Sequence, residues 1–276
     1  MHTLYLCASP IGNLEDVSLR LIRTLNEVSL IACEDTRTSA TLLARYDIHT
    51  PLTAYHDHNK ARETDRLIDY LLTEGDLALL TDAGMPAVSD PGYELACAAQ
   101  DRQIPLTVIP GPSAVLTALV LAGLPTDRFV FDGFLPKGGK ARRDRLKDWA
   151  REPRTIVFFE APHRILATLA DLADHFPDRQ VAACRELTKR FEEVVKDTPQ
   201  GLLDHFNENP PRGEFVLVMA GAPSQAPDPE AAVNLARSLT QEGMRTKEAA
   251  KIAAEKTGVS KRLVYQALIA DDRQAD

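Results

Sequence analysis

A chain of 276 residues, 44% of them apolar and 26% charged, is long enough for two compact domains and a small appendage. Its formal charge of -8 excludes indiscriminate nucleic-acid binding, which needs a broad positive field, so any RNA contact must come from local basic patches. No run approaches the ~18 apolar residues of a membrane span, and the N-terminal residues lack the basic-then-apolar pattern of a cleavable leader, so a soluble, cytoplasmic protein is expected.

In chain order, TLYLCA predicts a strand, Asp16 to Val28 a helix, SLIACE a second strand and Arg37 to Tyr46 a helix. This alternation is the rhythm of an α/β domain. In the first helix Val17, Leu21, Leu25 and Val28 recur at helical spacing, with Arg20, Arg23, Asn26 and Glu27 on the other face. DLALLTD and PLTVIPG predict further buried strands, each ending in a Gly/Pro loop that leads into a helix, Tyr93 to Gln100 and Ser113 to Ala122. Such strand ends are where open α/β sheets bind ligands.

AGLPTDR breaks the pattern, and RFVFDGFL, RTIVFFEA, RQVAACREL and EFVLVMAG begin a second α/β series. APSQAPDPEA carries three prolines and no apolar periodicity, the mark of a linker. The expected organisation is an α/β domain over 1–122, a second over 123–221, a linker over 222–231 and a small helical unit over 232–276. The cysteines Cys7, Cys33, Cys97 and Cys184 are isolated, with no C-x-x-C pair, and read as buried thiols in a reducing compartment.

Three loops share one design: SPIGNLED, TDAGMPAVSDPG and PGPSA each put small, backbone-exposing residues after a strand. Glycine and proline there let main-chain groups approach a zwitterionic amino-acid moiety or an adenine edge; any one of the loops alone reads as an ordinary tight turn, and it is the three together that point to a ligand. No G-x-x-x-x-G-K-[ST] loop is present, and no spaced glycine fingerprint follows the first strand, which argues against phosphate transfer and dinucleotide binding.

The stretch KGGKARRDRLK holds Lys137, Lys140, Arg142, Arg143, Arg145 and Lys147 against one acid, Asp144, with two glycines predicting a mobile loop that opens a helix. It is either an RNA-facing patch or a solvated helix face. Met244 to Ile269 reads as helix-turn-helix, with a turn at Thr257-Gly258-Val259 and Ser260 as N-cap of the second helix. Lys261 and Arg262 open that helix, and the unit reads as an RNA contact or as packing against the main body, with no DNA partner expected.

The series PIGNLED, LIACEDTR, AYHDHN, TDAGMPAVSDPG, PGPSA, GFLPKGGKARR, FFEAPHR, CRELTK and GEFVLV, in this order within residues 3–221, resembles the ribosomal RNA small-subunit methyltransferase I family of the tetrapyrrole-methylase fold group. The resemblance implies a two-domain class III α/β methyltransferase with a C-terminal helix-turn-helix-like unit for docking on the small ribosomal subunit. It implies S-adenosylmethionine bound in the cleft between the α/β domains, a homodimer, and 2′-O-methylation of a cytidine ribose in 16S ribosomal RNA, expected at cytidine 1402. Matched motif by motif, Pro10, Ala83, Gly84, Met85, Ser113, Ala114, Glu160 and Leu187 are the implied cofactor contacts. One departure is that Gly84-Met85-Pro86 stands where tetrapyrrole methylases carry G-D-P, which disfavours a tetrapyrrole substrate.

Methyl transfer to a hydroxyl needs alignment and one proton acceptor. The candidates are Glu34, Asp35 and Arg37 in CEDTR, His56, Asp57 and His58 in YHDHN, and Glu186 and Lys189 in RELTK. On an extended segment His56 and His58 would share a face, but no further ligands are in place for a metal, and none is expected. Lys189 can serve as base only if burial or cationic neighbours lower its pKa. Arg37 and Arg164 can bind phosphate or form solvated salt bridges. Two rival readings remain: methylation of a tetrapyrrole precursor, and a non-enzymatic helix-turn-helix nucleic-acid binder with a ligand-sensing α/β body.

Overall fold

The computed structural model describes residues 2–223 and 228–272, in two compact units, 1–222 and 223–276. In the first unit, strands β1 (Leu4–Cys7), β2 (Leu30–Cys33), β3 (Leu52–Ala54), β4 (Leu77–Leu80) and β5 (Leu106–Ile109) form a parallel sheet in the order β3-β2-β4-β1-β5. Helices α1 (Leu19–Glu27), α2 (Thr36–Arg45), α3 (Lys60–Thr73), α4 (Tyr93–Asp101) and α5 (Ala114–Leu121) connect or follow them. β4, at the centre, is LALL with every residue buried, the continuous apolar run expected of a strand covered on both faces. Because β4, β1 and β5 are adjacent and parallel, their carboxyl ends bring the SPIGN, TDAG and PGPS loops side by side.

The second sheet has the order β6-β7-β10-β8-β9, from β6 (Phe129–Phe134), β7 (Thr155–Glu160), β8 (Val181–Arg185), β9 (Glu193–Asp197) and β10 (Phe215–Met219). Only β6 and β7 pair parallel; the rest is antiparallel. Helices α6 (Gly139–Arg151), α7 (Ile165–His175) and α8 (Pro199–Glu208) complete this half. The expected boundary at residue 122 divides what the fold joins: Val115, Ala118 and Leu119 of α5 share one core with Val157, Ala182, Val216 and Val218 of the second sheet. α5 is thus a shared wall rather than the end of an independent domain.

In the second unit, α9 (Pro229–Gln241), α10 (Thr246–Thr257) and α11 (Lys261–Asp272) pack around Ala232, Ala236, Ala250, Ala253, Val264 and Leu268. Alanines let the helix axes approach closely. The linker expected over 222–231 ends sooner, because Asp228 accepts hydrogen bonds from the amides of Glu230 and Ala231 at 2.9 and 3.0 Å and starts α9; residues 224–227 lie outside the described residues. α10 stops at Gly258, whose φ of +70° is the left-handed conformation glycine adopts without strain. No described helix is long and apolar enough to cross a membrane.

Candidate active site

The first and second loops are tied at their backbones: the Ser9 amide donates to Gly84 O at 2.9 Å and the Gly84 amide to Ser9 O at 3.1 Å. Gly84 has φ +76°, so it is the backbone conformation, not lack of space, that requires glycine there. Opposite them lies RELTK, where Glu186 and Thr188 hold φ of +50° and +64°, costly for a side chain such as threonine. The two sides meet at Gly12: a Cβ there would lie 2.4 Å from Lys189 Cγ and 2.9 Å from Leu187 O.

Between these loops lies a cavity of about 350 Å³, a size that takes a nucleoside-amino-acid ligand in a folded conformation. Of the eight cofactor contacts implied by the sequence, Ala83, Gly84, Met85, Ser113, Ala114, Glu160 and Leu187 line it. Pro10 instead faces an adjoining hollow of about 340 Å³, together with Thr38, Ser39, Asp82 and Lys189. Phe134, Phe159 and Val216 give the cavity apolar walls. The Glu160 carboxylate is turned inward: it accepts from the Ala161 amide at 2.9 Å and from Thr168 Oγ1 at 2.6 Å, with Arg164 Nε 3.2 Å away.

The other candidates separate. Asp35 caps α2, accepting from the Arg37 amide at 2.8 Å and from Arg37 Nη2 at 2.6 Å, so Arg37 is engaged on the surface and its hydrogen bonds hold the Asp35 carboxyl down at about 2. The histidines are not on one extended face: β3 ends at Ala54 and residues 57–59 turn, leaving the rings 6.0 Å apart and edge to face, with His56 Nδ1 enclosed and without a hydrogen-bond partner. Among the described residues no group of His, Cys, Asp and Glu is arranged to hold a metal ion. Burial opposes the charge on Lys189, yet its hydrogen bonds to Glu214 at 2.9 Å and Glu186 at 3.0 Å outweigh that and raise its pKa. A base needs the opposite shift. Glu186 is lowered despite its burial, through the Glu214 amide and Lys189.

The structure adds Asp90, Glu214, Phe134 and Phe159 to the cavity. Asp90 belongs to the TDAGMPAVSDPG loop, and burial, with Glu34, Asp82 and Asp57 nearby, pushes its carboxyl up to about 7. Glu34 is raised too, by burial first and then by Asp82 and Asp57.

The basic stretch divides in two. Arg142 is turned inward onto Asp171 at 2.5 Å, the Pro136 carbonyl at 3.0 Å and Thr168 Oγ1 at 3.1 Å, and Arg145 pairs with Asp132. Lys137, Lys140, Arg143 and Lys147 are exposed, and α6 begins at Gly139 with little loop before it. In the C-terminal unit, Ser260 Oγ accepts from the Leu263 amide at 3.3 Å, and Lys261 and Arg262 are exposed in the first turn of α11.

Residues 3–202 match the model of the Tetrapyrrole (Corrin/Porphyrin) Methylases, and residues 226–272 match the RsmI C-terminal HTH domain. A protein of Synechocystis named Ribosomal RNA small subunit methyltransferase I is 44% identical over 270 residues, spanning 96% of this chain and 97% of its own. The Pseudomonas aeruginosa protein of the same name is 44% identical over 272 residues, 96% of this chain and 95% of its own. Among solved structures, a diphthine synthase superposes with TM-score 0.65 at 14% identity, covering 80% of this chain and 90% of that one. A cobalt precorrin-4 methyltransferase gives 0.62 at 16%, covering 79% and 94%. At such identities these two likenesses concern the fold alone.

Proposed function

The chain belongs to the ribosomal RNA small subunit methyltransferase I family of the tetrapyrrole methylases, and from that premise we propose that it methylates the 2′-hydroxyl of a cytidine ribose in 16S ribosomal RNA, at cytidine 1402. It is a methyltransferase, and its donor is S-adenosylmethionine. The observation that carries the site assignment is the single cavity on which Ala83–Met85, Ser113–Ala114, Glu160 and Leu187 converge from both halves of the first unit.

The residues fit the donor. Gly84 and its neighbours offer main-chain groups to an amino-acid moiety, small side chains at 113–114 admit it closely, and Phe134 and Phe159 suit an adenine ring. When bound, S-adenosylmethionine supplies an electrophilic methyl group on a sulfonium centre. The chain's own part is to fix the approach of the acceptor hydroxyl and to take its proton. Exposed Lys137, Lys140 and Arg143 on the first unit, and Lys261 and Arg262 on the second, are suited to phosphates of the substrate, while Arg142 and Arg145 hold their own surroundings.

The substrate is the small ribosomal subunit, and the enzyme works in the cytoplasm as a homodimer. Leu116, Val120 and Leu121 of α5, 52%, 72% and 44% exposed, support an apolar contact with a second copy. The decisive test is transfer of labelled methyl to small subunits from a strain lacking this protein, with mass-spectrometric mapping. A ribose methyl on cytidine 1402 is the expected result. Donor binding without label in RNA would redirect the search to tetrapyrroles.

A further inference from the structure

We propose that Asp90 is the catalytic residue that accepts the proton of the acceptor hydroxyl. The inference rests on the cavity being the methyl-donor site. Three carboxylates line that cavity: Asp90, Glu160 and Glu214. Glu160 is closed off by Ala161, Thr168 and Arg164, and Glu214 is paired with Lys189. Asp90 accepts no hydrogen bond and makes no ion pair among the described residues, so its oxygens are free for a ligand in the cavity.

The loop is wound at a cost to present it. Ala87 and Ser89 both hold φ of +66°, and Gly92, at φ +136°, leaves room for Leu79 Cδ2, which a Cβ would approach to 2.7 Å. The carboxylates that act on Asp90 are Glu34 after β2, Asp82 after β4 and Asp57 after β3; Lys60 is spent on Asp57 and Glu94, Arg164 on Glu160 and Lys189 on Glu214, so none of these cations pairs with Asp90. His56 is near enough to Glu34 to offset part of the rise in its pKa. Burial, and after it the like charges, favour the protonated form, so this carboxylate has the proton affinity a base needs near neutral pH. The other candidates lack one requirement each. Lys189 is held cationic, and neither Glu34 nor His56 lines the cavity.

In the step, the acceptor O–H bond breaks as the O–CH3 bond forms, and the proton passes to an Asp90 carboxylate oxygen. The electron pair of the methyl–sulfur bond stays on sulfur, and Asp90 then releases its proton to water. Glu34 and Asp82 beside Asp90 disfavour a phosphate there, so in the proposed step the acceptor approaches through its neutral ribose edge.

The test compares wild type, Asp90→Asn and Glu34→Gln in single-turnover methylation of purified small subunits across pH 5.5 to 8.5, with donor affinity measured by calorimetry. Wild type should lose rate below about pH 7 as Asp90 protonates. D90N should bind donor within about threefold of wild type yet be ~100-fold or more slower, with the acid limb gone. E34Q, with one repelling charge fewer, should move the acid limb to lower pH. A D90N enzyme that keeps rate and limb, or that loses donor affinity in proportion to rate, overturns the proposal; the second result would make Asp90 a ligand of the donor's ammonium group. Wild type that binds no donor would overturn the cavity assignment itself, a distinguishable failure.

Discussion

Thr168 Oγ1 donates to Glu160 Oε2 at 2.6 Å and accepts from Arg142 Nη2 at 3.1 Å, so a buried threonine links the basic helix α6 to the wall of the donor cavity. Replacing it by valine keeps the volume but leaves a buried carboxylate short of a donor. The cost is about 1–3 kcal/mol. Thr168→Val should lower the melting temperature by several degrees and weaken donor binding as the 160–162 wall shifts, read by calorimetry and thermal unfolding.

The same link separates cations that one stretch of sequence makes look alike. Arg142→Ala should lower thermal stability and donor affinity together, because it opens the Asp171 pair and the bond to Thr168. Lys140→Ala and Arg143→Ala should leave both unchanged while weakening subunit binding, each reducing the salt dependence by about one unit of slope. Equal effects of all three on RNA binding alone would contradict the geometry.

Much of this architecture was legible in the chain, for identifiable reasons. LALL and FVLVM read as strands because both faces are buried, whereas β3 and β9 carry no such signal: they are edge strands, short or half-exposed, and EVVKD carries three charges. The ligand loops were visible as Gly/Pro punctuation after strands. Asp90 lay in plain view within one of them, but its importance comes from Glu34, Asp57 and Asp82, brought together from the ends of three strands. No spacing rule encodes that convergence. The inward role of Arg142 is hidden from the sequence for the same reason: its carboxylate partner is 29 residues away, on another helix.

Gly12 makes a third test. A methyl group there would meet Lys189 Cγ at 2.4 Å and Leu187 O at 2.9 Å; the lysine stem can move, but the carbonyl belongs to a strained loop that cannot easily follow. Gly12→Ala should therefore push Ile11 and Leu187, both in the cavity wall, apart. The expected result is a tenfold or greater loss of donor affinity with only a small loss of stability. Unchanged affinity would show that the two loops can separate without cost.

The C-terminal unit has its own alanine-lined core, so its loss should not unfold residues 1–222. A chain ending after Ala222 should bind the donor with unchanged affinity and methylate subunits poorly, and charge reversal of Lys261 and Arg262 in the full chain should reproduce part of that defect. Full activity of the truncated chain would remove the docking role.

Asp90 also fixes a pH dependence of stability whose sign is opposite to that of a salt-bridged acid. Its carboxyl titrates at about 7 in the folded chain and near 4 when unfolded. Between those values the folded state holds the extra proton, so this group's contribution is fully present below about pH 4 and is lost as pH rises through 7. Asparagine carries no charge to bury. D90N should therefore gain on wild type as pH rises from 4 to 8, by on the order of 1–3 kcal/mol once partial exposure is allowed for. Urea unfolding at pH 4, 6 and 8 reads this directly. A stability difference that stays constant with pH would mean Asp90 ionises normally, and the stored cost that prepares it to take a proton would be absent.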